Sequence, residues 1–193
     1  MNSKRSILIL AALILALFTA VVSSAQDSGP RALLPTALFE NHSFEDGTQH
    51  WTVINATGDS VKCGDVTFPL LGACAVNLKG SAGENTVIKQ TYKPSGIVDS
   101  GDQAVVLTAF LQPKQAGMKI KFFIKVKFND GSPDIKASLT YTSAGANINW
   151  EDIVLITDPF DASKVRKVVA GAKHLSTSGR ILLDSLQAGT TSN

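Results

Sequence analysis

The chain has very few of the side chains from which catalytic and metal sites are usually built. Its 193 residues include three His and two Cys, and none of these has a partner at metal-ligand spacing. The sequence also lacks a phosphate-binding glycine loop, a Gly-x-Ser-x-Gly elbow and a His-Glu-x-x-His helix. Two carboxylates can still meet in space, but the available acids stand at strand ends and in loops. We therefore expect no enzyme.

An excess of one charge sign is also missing. The chain has 18 Lys+Arg and 16 Asp+Glu, and the two extra positive charges, Lys4 and Arg5, lie in a segment that we expect to be removed. The remaining chain is neutral. Because nucleic-acid binding needs a basic excess to neutralise phosphates, we expect no nucleic-acid partner.

Only one long apolar run occurs, at residues 7–22. A positively charged head precedes it, and the small residues Ser23, Ser24 and Ala25 follow, which is the layout of a secretory signal peptide. The run is shorter than the roughly twenty residues that span a membrane. We predict a signal peptide at 1–25, cleavage after Ala25, a flexible leader at 26–36, and a secreted or cell-surface protein with no membrane attachment after cleavage.

Export favours a bond between the two cysteines. Cys63 and Cys74 flank a turn-like stretch that contains Pro69 and Gly72. Outside the cytoplasm two thiols this close in sequence tend to oxidise, so we predict a structural disulfide. A metal site is the poorer interpretation, since no second Cys or His stands at ligand spacing.

The clearest secondary-structure signal is a strict alternation between residues 118 and 128. Every even position is apolar, and the odd positions are Lys119, Lys121, Phe123, Lys125 and Lys127. This period of two predicts a strand with one dry and one wet face. The turn-forming residues 129–133 and a second alternating stretch at 135–141 complete a hairpin.

The rest of the chain shows the same short alternating segments separated by turn residues, and no helical period with caps. Further strands are predicted at 38–44, 51–56, 60–66, 74–79, 85–92, 103–112, 150–157, 165–170 and 180–186. Many short strands indicate an all-β protein, with its strands in an antiparallel β-sandwich or barrel. We predict a single domain at 37–188, followed by a polar tail at 189–193.

Motifs at both ends of this domain resemble a known family. The first is Asn41-His42-Ser43-Phe44-Glu45, followed by Trp51, and the later ones are Trp150 and the closing stretch 179–186. The order resembles that of the CenC-type carbohydrate-binding modules, which are galactose-binding-like jelly rolls, over roughly residues 38–188. The closing stretch departs from the family pattern, because Leu182 and Leu183 replace aromatic residues and Ser185 replaces a second Asp.

The resemblance implies a jelly-roll sandwich and one structural Ca²⁺. In such a fold the first and last strands are neighbours, which would bring Glu45 and Asp184 together, and two carboxylates with backbone carbonyls suit Ca²⁺. The alternative is that both acids are ordinary turn and strand-end residues. Phe44, Trp51 and Trp150 belong to the same pattern, and we expect them to pack in the core rather than to stack on sugar.

If both Trp are buried, few aromatic residues remain to bind a sugar ring. Phe123 is the candidate, because the alternation places it on the wet face among lysines. Either it is a stacking platform on a basic face, or a loop or the other sheet covers it. In the first case Lys119, Lys121, Lys125 and Lys127 would favour an anionic glycan such as a uronate or sulfated polymer, with Lys121, Lys125 and Tyr141 as contacts. Otherwise the lysines form a solvated face that discourages edge aggregation.

Two functions remain open from the sequence. The first is a secreted, non-catalytic module that binds a poly- or oligosaccharide on one sheet face. The second is a cell-surface or matrix sandwich that contacts another extracellular protein, or mediates adhesion, without binding sugar. The scarcity of spare aromatic residues keeps the second alternative open.

Overall fold

The structure is a computed structural model that describes residues 37–55, 57–64, 72–95, 101–146 and 149–192. The predicted signal peptide and leader lie outside these residues. The described part is all-β, an antiparallel jelly-roll sandwich of two sheets with one short 3-10 helix and no α-helix. The predicted fold class is therefore confirmed. No helix in this part of the chain is long and apolar enough to cross a membrane.

The first sheet has five strands in the order β1-β4-β10-β6-β7. Their bounds are Thr52–Ile54 for β1, Val87–Tyr92 for β4, Val165–His174 for β10, Lys119–Phe128 for β6 and Ile135–Thr142 for β7. All neighbours are antiparallel. The predicted hairpin is the pair β6 and β7. In this strand order β6 and β10 lie inside the sheet, and β7 forms one edge.

The second sheet has six strands, five of them in the order β2-β3-β11-β5-β8, with β9 also paired to β5. The bounds are Ser60–Cys63 for β2, Cys74–Lys79 for β3, Arg180–Ser192 for β11, Asp102–Pro113 for β5, Glu151–Ile156 for β8 and Phe160–Asp161 for β9. The 3-10 helix, Ala162–Lys164, follows β9 and is capped by the carboxylate of Asp161, which accepts from the backbone N–H of Ser163.

The core lies between the two sheets and is filled by one side of each strand. In β6 the inward residues are Ile120, Phe122, Ile124 and Val126, all almost fully buried, as the alternation predicts. In β5 the alternate residues Val105, Leu107, Ala109 and Leu111 face them from the other sheet. The period of two therefore decides which side chains remain on the outer surfaces.

Three boundary predictions are wrong. The segment predicted as a strand at 38–44 consists of irregular chain and turns, with Asn41 and Phe44 at positive φ. Residues 189–192, predicted as a tail, continue β11 and pair with residues 103–106 of β5. Strand β10 also runs four residues further than predicted, to His174.

The N-terminal turn holds its aromatic residues in the core. Trp51 is buried against Phe39 and Phe44, with ring centroids 5.5 and 5.2 Å away. Its indole Nε1 donates to the carbonyl oxygen of Asn41 at 2.9 Å, so the polar edge of the ring is satisfied. Core packing is thus confirmed for Trp51 and Phe44, whereas Trp150 is only half-buried.

Candidate functional site

The outer face of the five-stranded sheet carries the sequence-predicted residues Lys121, Phe123 and Lys125. The inward positions of β6 are even-numbered and buried, so the odd-numbered side chains point away from the core. Phe123 is half-buried on this outer face. The opposite sheet lies on the other side of β6, so it does not cover Phe123.

Phe123 has small neighbours on both sides. The register places Ser138 of β7 directly opposite it on one side and Gly171 of β10 on the other. A Cβ at Gly171 would lie 2.1 Å from the carbonyl oxygen of Ile88 and 2.7 Å from the Cα of Lys89, so only glycine fits. Gly171 itself is buried, and the next residue in the row is Lys89, which pairs with Gly171.

Lysines surround the ring on this surface. Strands β4, β6, β7 and β10 place eight lysines on the outer side of the sheet, and all are exposed or half-buried. They are Lys89, Lys119, Lys121, Lys125, Lys127, Lys136, Lys167 and Lys173. We call this set, together with Phe123, the lysine face.

Among the described residues, the acid that contacts the lysine face is Asp134. Asp134, just before β7, has its Oδ2 2.8 Å from the Nζ of Lys125 and 3.8 Å from the Nζ of Lys127. The hydrogen bond to Asp134 raises the pKa of Lys125, and the same bond lowers the pKa of Asp134. Asp134 thereby balances one corner of the face.

Crowding of like charge is visible at Lys127. Asp134 attracts this lysine, which alone would raise its pKa, but repulsion from Lys125 and Lys167 together with desolvation lowers the pKa of Lys127 overall. At Lys127, the attraction of Asp134 is therefore too weak to offset the neighbouring lysines and the desolvation.

The fourth predicted contact, Tyr141, is not brought to this face. Tyr141 pairs with the inward residue Ile120 and packs against the core. Its hydroxyl donates to the Oε1 of Glu151 at 2.8 Å, and burial followed by this bond raises the pKa of Tyr141 to about 12. It links the two sheets at the β7–β8 side, so we leave it out of the candidate site.

The predicted disulfide and the predicted calcium ligand Glu45 belong to the region around β2 and β3 of the six-stranded sheet. Cys63 and Cys74 stand opposite each other in β2 and β3 and are bonded. The Oε1 of Glu45 accepts hydrogen bonds from the backbone N–H groups of Ala73 and Cys74, both at 2.9 Å. These bonds tie the N-terminal turn to β3.

The second predicted calcium ligand, Asp184, is fully buried and accepts from the backbone N–H of Ser185 through Oδ1 at 2.6 Å. Within the described ranges, no three His, Cys, Asp or Glu side chains are grouped to hold a metal ion. Since Ca²⁺ takes six to eight oxygen ligands, further donors would have to come from backbone carbonyls and water. The calcium site stays a prediction.

Comparisons with known proteins identify the fold. No protein-family model matches the chain, and no curated protein matches its sequence. Among solved structures, it is similar to the carbohydrate-binding module TmCBM61, solved in complex with β-1,4-galactotriose. The TM-score is 0.57 at 14% identity, with 81% of this chain and 99% of that chain covered.

Two further similarities show how far the fold is shared. A family 16 carbohydrate-binding module gives a TM-score of 0.52 at 17% identity, covering 78% of this chain and 98% of that one. A Stig cyclase from Fischerella sp. TAU gives 0.55 at 7% identity, covering 81% and 97%. Since the same sandwich serves sugar binding and catalysis, the function must be argued from this chain's own residues.

Proposed function

We propose that the protein is a non-catalytic carbohydrate-binding module that takes a poly- or oligosaccharide on the lysine face. The observation that carries the proposal is the half-buried Phe123 ring on the outer side of the sheet, between Ser138 and Gly171. A partly exposed aromatic ring on a sheet, paired with a serine on one side and a glycine on the other, offers an apolar plane to the C–H side of a sugar ring.

The surrounding lysines supply the polar part of such a site. Lys121 and Lys125 stand two residues before and after Phe123 on the same strand. Their ammonium groups donate to sugar hydroxyls or acidic groups on either side of a ring held on Phe123. The site is built on interior strands of a sheet rather than on loops, which gives it a fixed geometry.

The finer family assignment and the location are part of the same proposal. The contacts among Asn41, Phe44 and Trp51 support the CenC-type assignment, because the motif residues pack together around the N-terminal turn. The disulfide between Cys63 and Cys74 supports export, since such bonds persist outside the reducing cytoplasm. We propose a secreted or cell-surface protein.

The alternative is a sandwich that binds another extracellular protein and no sugar. Its supporting observation is on β8, the last strand in the order of the second sheet, where Val154 and Ile156 are 46% and 55% exposed. Exposed apolar side chains along one strand favour protein contact more than sugar contact. This strand belongs to the other sheet, so the two functions are separable by mutation.

The test is affinity electrophoresis through gels that contain neutral or acidic polysaccharides. Phe123→Ala is compared with Phe110→Ala, a matched change of a half-buried Phe on the outer side of the second sheet. We expect at least one polysaccharide to retard the wild type, and Phe123→Ala alone to weaken binding roughly fivefold or more. Equal loss in both variants, or no retardation in any gel, would overturn the proposal and favour the alternative.

A further inference from the structure

The charges of this chain are sorted by sheet, although its overall charge is close to zero. The strands of the five-stranded sheet contain the eight lysines of the lysine face and Arg166, and no acid. The strands of the other sheet contain more acids than bases. The acids are Asp102, Glu151, Asp152, Asp161 and Asp184, and the bases are Lys62, Lys79 and Arg180. One side of the sandwich is therefore strongly positive.

Several lysines of the face stand directly opposite one another. The register pairs Lys121 with Lys173, Lys127 with Lys167, and Lys125 with Lys136. Like charges directly opposite each other across two strands destabilise a sheet. Asp134 offsets this repulsion near Lys125 and Lys127, but no carboxylate of the described residues is paired with Lys121 or Lys173.

Protection against edge aggregation does not explain this arrangement. Charged side chains serve that purpose on edge strands, but the paired lysines belong mainly to β6 and β10, which lie inside the sheet. The edge strands β1 and β7 contribute only Lys136. The repulsion between the opposed lysines of β6 and β10 therefore lies on the outer surface of the sheet, where a bound anion would relieve it.

We propose that the ligand of the lysine face is an acidic polysaccharide, with carboxylate or sulfate groups beside the sugar ring that rests on Phe123. This inference depends on the proposed function and specifies its ligand class. Along β6, Lys121 and Lys125 lie about 6–7 Å on either side of Phe123, and neighbouring strands add lysines at about 5 Å steps. Anionic groups repeated along a glycan meet cations on both sides of the platform.

A polysaccharide fits this surface better than a nucleic acid does. Sequence-tolerant binding of single strands uses several aromatic side chains, one for each stacked base. The outer side of β6 and β10 has a single aromatic residue, Phe123, among its lysines. One aromatic ring with lysines on both sides suits a polysaccharide that makes most of its contacts through acidic groups rather than through stacked rings.

The test compares neutral with acidic polymers, each with the whole protein: galactan and polygalacturonate for carboxylate, and dextran with dextran sulfate, which share one backbone, for sulfate. The variant Lys121→Gln/Lys173→Gln removes one opposed pair. The control Lys62→Gln/Arg180→Gln removes the same charge from exposed positions of the other sheet. We expect the wild type to bind at least one acidic polymer and the affinity to fall with added salt. The affinity should be about tenfold weaker in Lys121→Gln/Lys173→Gln and unchanged in the control.

Each other outcome is distinct. If galactan or dextran retards the wild type and the lysine variant equally, this inference is overturned and the proposed function stands. No retardation by any polymer would overturn both. A third outcome is that single-stranded DNA and acidic polymers bind equally well and that Phe123→Ala weakens neither. This result would show a surface for polyanions in general and would also overturn the inference.

Discussion

Gly171 lies directly opposite Phe123 in the pairing of β10 with β6, and a Cβ at this glycine would collide with the backbone of β4. The two residues therefore depend on each other for the shape of the candidate site. Gly171 allows β4 to approach closely and adds no side chain of its own beside the ring.

Gly171→Ala should destabilise the protein by about 1–3 kcal/mol, because the new methyl group forces β4 and β10 apart. Chemical denaturation measures the change in the free energy of unfolding. The matched control is Gly145→Ala, where a Cβ would meet nothing within 4 Å. If Gly171→Ala is as stable as the control, β4 and β10 do not approach each other as closely as described.

The disulfide should contribute a measurable part of the stability. Cys63 and Cys74 are 11 residues apart in sequence, and closing a loop of this size stabilises a protein by about 3 kcal/mol in the chain-entropy model. We expect Cys63→Ala/Cys74→Ala to lower the midpoint of denaturation. Reductant should have the same effect on the wild type and none on the variant. A wild-type midpoint that reductant does not move contradicts the prediction.

The buried His174 should make the protein less stable in mild acid. Its Nε2 is buried without a hydrogen-bond partner, and desolvation lowers the pKa of His174 despite the opposing attraction of Asp59. The folded chain then binds fewer protons than the unfolded chain, whose His pKa is near 6.5. The contribution to stability is therefore full above pH 6.5 and is lost as the pH falls below that value.

Denaturation between pH 8 and pH 5 measures this loss. His174→Gln should flatten the dependence on pH over this window, whereas His50→Gln, a change at an exposed histidine that contacts Glu40, should retain it. A wild-type stability that is constant between pH 7 and pH 5 would show that His174 is not buried as described.

The predicted calcium ion is tested by chelation. If Glu45 and Asp184 hold Ca²⁺, a chelator lowers the melting temperature of the wild type, since an ion that binds only the folded chain stabilises it. Glu45→Gln should remove that sensitivity. A melting temperature that the chelator leaves unchanged eliminates the ion and assigns to Glu45 only its hydrogen bonds to Ala73 and Cys74.

The hairpin of β6 and β7 was the part of the fold most accessible to sequence reasoning, because its alternation is uninterrupted. The same parity also bears on Tyr141, which shares the inward side of β7 with Ile135 and Ala137. Its exclusion from the site was therefore within reach of the sequence. The end of β11 was not, because Gly189, Thr190 and Thr191 are small or polar and become strand only through pairing with β5.

Lys136 was within reach of the sequence, because it alternates with Ile135 and Ala137 in the predicted hairpin. The other three lysines outside β6, which are Lys89, Lys167 and Lys173, could not be placed from the sequence, because their strands have no clear alternation. Only the strand order and the register bring them beside Lys121 and Phe123. Net charge conceals the same feature, because the acids that balance these lysines lie elsewhere in the fold.

The central claim is that sugar is held on the outer side of β6 and β10 around Phe123. The most direct measurement is the change in backbone amide chemical shifts when a polysaccharide that retards the protein is titrated as oligomers. We predict that the amide shifts change at residues 119–127 of β6 and at residues 167–173 of β10, which include Gly171. Changes confined to the six-stranded sheet or to the loops, with β6 and β10 unmoved, would contradict it.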